Sequence, residues 1–159
     1  MFKVSETATI QHPPAKVFLI AADPQTQLEW DPETLKSVEK LTPGALGQGS
    51  RYRGKFKGFG TMEYEFVEFE SPRRFTHLAP MQMGKLRHVF TFEAVPEGTR
   101  LTQEGRLEPN LLGRVMWPVM SRMLRSRFRV IASEVSRYME SGAAGTDSDR
   151  KSVQGRSAG

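Results

Sequence analysis

Few residues in this chain could carry chemistry in an interior. There are three histidines, His12, His77 and His88, and no cysteine. Thiol nucleophiles, disulfides and Cys-based zinc sites are therefore excluded. No histidine has a second histidine or a carboxylate at a recognisable ligand spacing, so neither a metal site nor another cofactor is expected. His88 stands out by its neighbours, because Leu86, Phe90 and Phe92 alternate with it and share its face. A neutral imidazole in such a place can move a proton near neutral pH. Tyr64 and Gln103, on two other alternating segments, can orient a carbonyl or enolate oxygen. His77 alternates with Phe75 and Ala79 and can face the same way. The plainer reading stays open: His88 as a satisfied core or rim histidine, and Gln103 bonded to backbone or water. No carboxylate with a clear inward position is present to tune His88.

These residues need a sheet to place them, and the sequence describes one. Phe2 to Ile10 carries β-branched and aromatic residues without Gly or Pro, which predicts a strand. His12-Pro13-Pro14 stops it and starts a short apolar helix to Ala22. Asp23-Pro24, a cap followed by a first-turn proline, starts a second that runs to about Trp30. Leu35 to Leu41 is the next predicted strand. Arg51 to Lys57 then alternates, with four cations on one face and Tyr52, Gly54 and Phe56 on the other. After Gly58-Phe59-Gly60, Met62, Tyr64 and Phe66 alternate with Thr61, Glu63 and Glu65, so a hairpin here sets carboxylates against cations. The alternation slips at Val67-Glu68-Phe69, the mark of a bulge. Phe75 to Ala79 is predicted as a strand and Pro80 to Gly84 as a loop whose Met81 and Met83 could act as a soft gate or be incidental. Lys85 to Val95 and Thr99 to Leu107 are predicted as strands joined at Pro96-Glu97-Gly98.

From about Leu111 to Met139 the period becomes helical. Trp117, Met120, Leu124, Phe128, Ile131, Val135 and Tyr138 recur every three or four residues, and Met116, Met123 and Met139 widen the stripe. Pro118 predicts a short leading segment and then a kink or restart. Residues 142–159 are nearly devoid of apolar side chains, which predicts a disordered tail. Strands followed by one long helix indicate α+β: a curved antiparallel sheet of about seven strands wrapped on the C-terminal helix, all within residues 1–141. Glycines beside aromatics on the inward faces, with methionines on the helix, leave either an ordinary core with glycine bends or a cavity.

Net charge is +5 and the isoelectric point about 9.7. Arg122, Arg125, Arg129 and Arg137 line the outside of the final helix, where a solvated face or a transient contact with an anionic membrane surface would both fit. No recognition motif and no interleaving of exposed aromatics with cations points to nucleic acid. No run of apolar residues is long enough to span a membrane, and the N-terminus lacks a basic segment followed by an apolar one. A cytoplasmic protein is expected.

Several stretches together resemble the START-like (Bet v 1-like, SRPBCC) superfamily, specifically its bacterial polyketide cyclase/dehydrase and lipid-transport group. They are Pro14-Ala15-Lys16-Val17-Phe18, Asp23-Pro24 with Trp30, Gly47 to Tyr52, Val67 to Phe75, Phe92 to Thr102, and Gly105 to Pro109 running into the helix. The resemblance implies a helix-grip fold with a cavity between sheet and helix for lipids, polyketides or other apolar molecules. It carries no catalytic motif. The candidate cavity residues are then Tyr52, Tyr64, Phe66, His77, Phe90, Phe92 and Gln103 on the sheet. Trp117, Met120, Met123, Leu124 and Phe128 are the candidates on the helix, and Trp30 near the mouth. Three functions follow. The first is binding or transport of an apolar or amphipathic molecule. The second is a polyketide cyclase/dehydrase-type enzyme with His88 as acid/base. The third is a protein-interaction module of the co-chaperone or toxin–antitoxin kind. Oligomeric state is not legible.

Overall fold

The architecture was read from a computed structural model that describes residues 1–142, so the tail predicted over 142–159 lies outside the described residues save for Gly142. The chain forms β1 (Phe2–Ile10), α1 (Pro14–Ala22), α2 (Pro24–Trp30), β2 (Leu35–Lys40), β3 (Arg51–Phe56), β4 (Gly60–Glu70), β5 (Arg74–Met81), β6 (Gly84–Val95), β7 (Gly98–Pro109) and α3 (Leu111–Glu140). One seven-stranded antiparallel sheet has the order β1-β7-β6-β5-β4-β3-β2, so the first strand closes on the last. This is the α+β arrangement predicted from the alternations and the helix-grip fold that the resemblance implies. The slip after Phe66 is a register shift between Phe66 and Glu68 in the β4–β5 pair. The β3–β4 hairpin pairs Arg53 with Glu63 at 2.8 Å and Arg51 with Glu63 at 3.5 Å. Both pairs are exposed and contribute little to stability.

Two expectations need correction. Pro118 neither ends nor restarts the helix, since α3 runs unbroken through it. The missing N–H frees the Arg114 carbonyl, but Arg114 and Pro118 are both exposed, so water can serve that carbonyl. The stretch Pro80 to Gly84 is a tight turn between Met81 and Gly84, with Pro80 inside β5 opposite Lys85. Of the two readings left open for the inward glycines, the packing at Gly54 and Gly105 fits the ordinary core. A Cβ on Gly105 would lie 3.1 Å from the Phe128 ring and 3.2 Å from Val4, and one on Gly54 would lie 2.7 Å from the Phe56 ring. Glycine here lets large side chains approach the sheet.

α3 is seated at its start and along its length. The Asn110 side chain accepts a hydrogen bond from Gly113 N at 2.9 Å and donates one to Gln82 O at 2.7 Å. Gly113 lies so close to the β5–β6 turn that a Cβ would fall 2.1 Å from Met83 O. Farther on, Ile131, Ala132, Val135 and Met139 enter the main core. At the α1 end of that core, Phe18 meets Phe69, Phe75 and Phe92 edge-on at 5.2–5.5 Å. A second cluster, Val4, Leu107, Met120, Leu124 and Phe128, packs α3 onto β1 and β7.

Candidate functional site

Between α3 and strands β4–β6 lies a cavity of about 140 Å³. Its sheet wall is Tyr64, His77, Ala79, His88 and Phe90. Its helix wall is Met120, Leu124, Phe128 and Ile131. Gln27, Trp30 and Thr34, with Phe59 and Met62 from the β3–β4 hairpin and Met123 and Arg127 from α3, complete the wall where it approaches the surface. The alternation of each strand supplies the sheet wall. His77 faces His88 across β5–β6, and Phe66 faces His77 across β4–β5.

His88 is clamped. Its ring stacks on Phe128 at 4.4 Å and lies 4.0 Å from Phe90. Gln103 Nε2 donates to Phe128 O at 2.7 Å, which turns its Oε1 toward His88 Nε2 at 3.1 Å. That network assigns the proton to His88 Nε2 and the lone pair to Nδ1. Burial pushes the His88 pKa well below the ordinary imidazole value, and His77 nearby pushes it further; the bond to Gln103 opposes this in part. Burial lowers His77 to about 3. Each ring keeps some accessible surface, but both line the cavity deep in the fold, so that surface does not amount to solvation by bulk water. Both imidazoles are neutral at physiological pH. Burial, with Tyr52 and Asp23 nearby, raises the Tyr64 phenol above its ordinary value, so it too is neutral.

Two polar atoms of this wall, Tyr64 Oη and His77 Nε2, are buried with no hydrogen-bond partner among the described residues. The Tyr64 and His77 rings lie 4.9 Å apart. The one cation of the wall, Arg127, holds the buried Asp31 carboxylate with both guanidinium Nη atoms, Nη1 at 3.2 Å, and Gln27 Nε2 adds a bond to Asp31 at 3.1 Å. The cavity therefore offers hydrogen bonds and apolar surface but no free charge.

Of the residues predicted to line a cavity, Trp30, Tyr64, His77, His88, Phe90, Met120, Met123, Leu124 and Phe128 do come together. Tyr52, Phe66, Phe92, Gln103 and Trp117 do not reach its wall. Tyr52 and Phe66 pack behind Tyr64, Phe92 packs against Phe18, Gln103 stands behind His88, and Trp117 stacks on Phe2 at 5.1 Å. Met81 and Met83 both pack against the second cluster, and of the two only Met81 also lines the cavity. Arg127 and Asp31 were missed as a pair. Their signal was present in that Arg127 sits three residues after Leu124 and four before Ile131, beside the apolar stripe. Phe59 lies in a turn and gave none. A second depression of about 450 Å³ between β1 and α3 is an open trough lined by Thr9, Ser133 and Ser136 and by the Arg129–Glu6 ion pair at 3.0 Å. Among the described residues no three potential metal-binding side chains gather.

The family model described as polyketide cyclase / dehydrase and lipid transport matches residues 1–140. No curated protein matches the sequence. Solved structures share the fold at low identity. Protein MLL2253 from Mesorhizobium loti has a TM-score of 0.70 at 15% identity, over 87% of this chain and 97% of that one. The Aha1 dimer from Colwellia psychrerythraea has a TM-score of 0.65 at 13% identity, over 87% and 96%. Ara h 8.0201 has a TM-score of 0.65 at 16% identity, over 88% and 98%.

Proposed function

The chain belongs to the polyketide cyclase/dehydrase and lipid transport family, and from that premise we propose that it binds or carries a neutral, largely apolar small molecule bearing a hydrogen-bonding group. The observation that carries this reading is the pair of unpartnered buried atoms, Tyr64 Oη and His77 Nε2, in a wall without free charge. Each such atom costs about 1–3 kcal/mol when left unsatisfied. A ligand hydroxyl or carbonyl lying between them would recover that cost, while its carbon skeleton contacts Phe90, Phe128, Leu124 and Ile131. About 140 Å³ suits one ring or a short chain segment, since a cavity near 150 Å³ accepts benzene. A longer molecule would extend past Met123 and Phe59, and the methionines can adjust to it.

Acid/base catalysis by His88 is the second reading, favoured by the Gln103 bond that fixes its tautomer and orientation. Its lowered basicity makes it the weaker one. A His88→Ala protein that stays folded and keeps full turnover of a cyclisation or dehydration substrate would remove that mechanism.

Native mass spectrometry on freshly purified protein, followed by organic extraction, tests the carrier reading. A discrete neutral adduct that is lost in Tyr64→Phe/His77→Phe supports it. A bare protein that no member of a lipid and polyketide panel stabilises thermally refutes it.

A further inference from the structure

α3 has two apolar faces, and the fold uses only one. Leu111, Leu112, Val115, Met116, Val119 and Met123 stand in solvent, with exposures from 37% at Met116 to 80% at Leu111. From Leu112, the side chains of Val115, Met116, Val119 and Met123 recur at i+3, i+4, i+7 and i+11, so these five form one stripe alongside the buried row of Met120, Leu124 and Phe128. A contiguous apolar patch of this kind on a folded surface marks an interaction site.

The charge beside the stripe selects the partner. From Leu111 to Ser133 the helix carries five arginines and no carboxylate. Arg127 and Arg129 are neutralised by Asp31 and Glu6, and beyond this segment Arg137 pairs with Glu134. Arg114, Arg122 and Arg125 are exposed and make no ion pair among the described residues. The unbalanced cations therefore lie along the N-terminal half of α3, not along its whole outer face. Two copies packed through this stripe would bring six arginines together with no carboxylate from either segment, which disfavours a self-dimer. An anionic surface with an apolar interior complements both features at once.

The stripe also runs into the cavity. Met123 belongs to both, and Phe59, itself 39% exposed, shares the cavity wall from the β3–β4 hairpin. Lys55 and Lys57 flank that hairpin tip, exposed and without an ion pair among the described residues. We propose that Leu111–Met123 of α3, with the β3–β4 hairpin tip, is a docking face for an anionic phospholipid surface, placed so that the cavity opens against the bilayer. The docking face does not depend on which molecule the cavity holds.

Co-sedimentation of the purified full chain with phosphatidylcholine vesicles, with and without phosphatidylglycerol, tests this directly. Binding is expected only with phosphatidylglycerol and is expected to weaken with added salt. Arg122→Gln and Arg125→Gln should each lower it about fivefold. Val119→Asp should abolish it while the melting temperature stays unchanged, because that side chain stands mostly in solvent. Equal binding to both vesicle types, binding insensitive to Val119→Asp, or no binding together with a dimer that Val119→Asp dissociates would each overturn the proposal.

Discussion

The inner face of one sheet serves two different ends. Toward α1 it is closed: Phe18 wedges between Phe69, Phe75 and Phe92 and meets each of these rings edge to face. Toward the first half of α3 the same strands present Tyr64, His77 and His88 around a cavity, with two buried polar atoms left without partners among the described residues. The closed end gains dispersion and apolar burial and has nothing to titrate. The open end carries neutral imidazoles and a neutral phenol at some cost in stability. Burial that serves folding is complete at one end and held incomplete at the other, which is the pattern expected where a ligand finishes the packing.

The sharpest contrast comes from truncation. Phe18→Ala should cost about 3–5 kcal/mol in urea unfolding, because it empties the centre of the closed end. Met123→Ala, half in solvent at the cavity, should cost well under about 1 kcal/mol. Comparable losses at the two positions would break the distinction. Next in size is Gln103→Met, which unpairs His88 Nε2 and should cost about 1–3 kcal/mol by the same measurement. It should also release the His88 tautomer, visible as a changed imidazole nitrogen shift.

Of the two ends, only the open one should respond to acid. His77 has a pKa near 3 when folded and 6.5 when free, so between those values the unfolded chain binds more protons. Stability is then full above about pH 6.5 and falls by about 1.4 kcal/mol per pH unit toward about pH 3, with His88 adding in the same direction. Denaturant melts between about pH 6.5 and 5 keep clear of most carboxylate titration, and His77→Phe should flatten the slope there. An unchanged slope would mean that His77 is solvated. Smallest is Tyr64→Phe, which removes an unpartnered hydroxyl and should raise ligand-free stability by about 1 kcal/mol while weakening ligand binding. The same change is expected to be destabilising if the hydroxyl is already satisfied.

The sequence made the elements legible because local chemistry fixes them. Pro13-Pro14 set α1 and Asp23-Pro24 set α2, period-two alternation set the strands, and the slip at Val67 marked the bulge. Pro118 misled, since its cost depends on whether the freed carbonyl meets water, and exposure is a tertiary fact. Alternation told which face Tyr52, Phe66 and Phe92 occupy but not how far along the sheet they lie. Only the packing of α1 and of the neighbouring rings decides that these three are closed off while Tyr64, His77 and Phe90 line the cavity. Gly54 and Gly105 left two readings open for a related reason, because the room they provide is filled from Phe56 and from Phe128 on α3.

The central claim is that Tyr64 and His77 recognise a polar group on an otherwise apolar ligand. Its most direct test is thermal stabilisation by matched pairs of small ring compounds, with and without a hydroxyl or carbonyl, measured on the native protein and on Tyr64→Phe/His77→Phe. The account predicts that oxygenated members stabilise the native protein more than their hydrocarbon partners and that the double variant loses this preference. Stabilisation indifferent to the oxygen, or a preference that survives in the double variant, would contradict it.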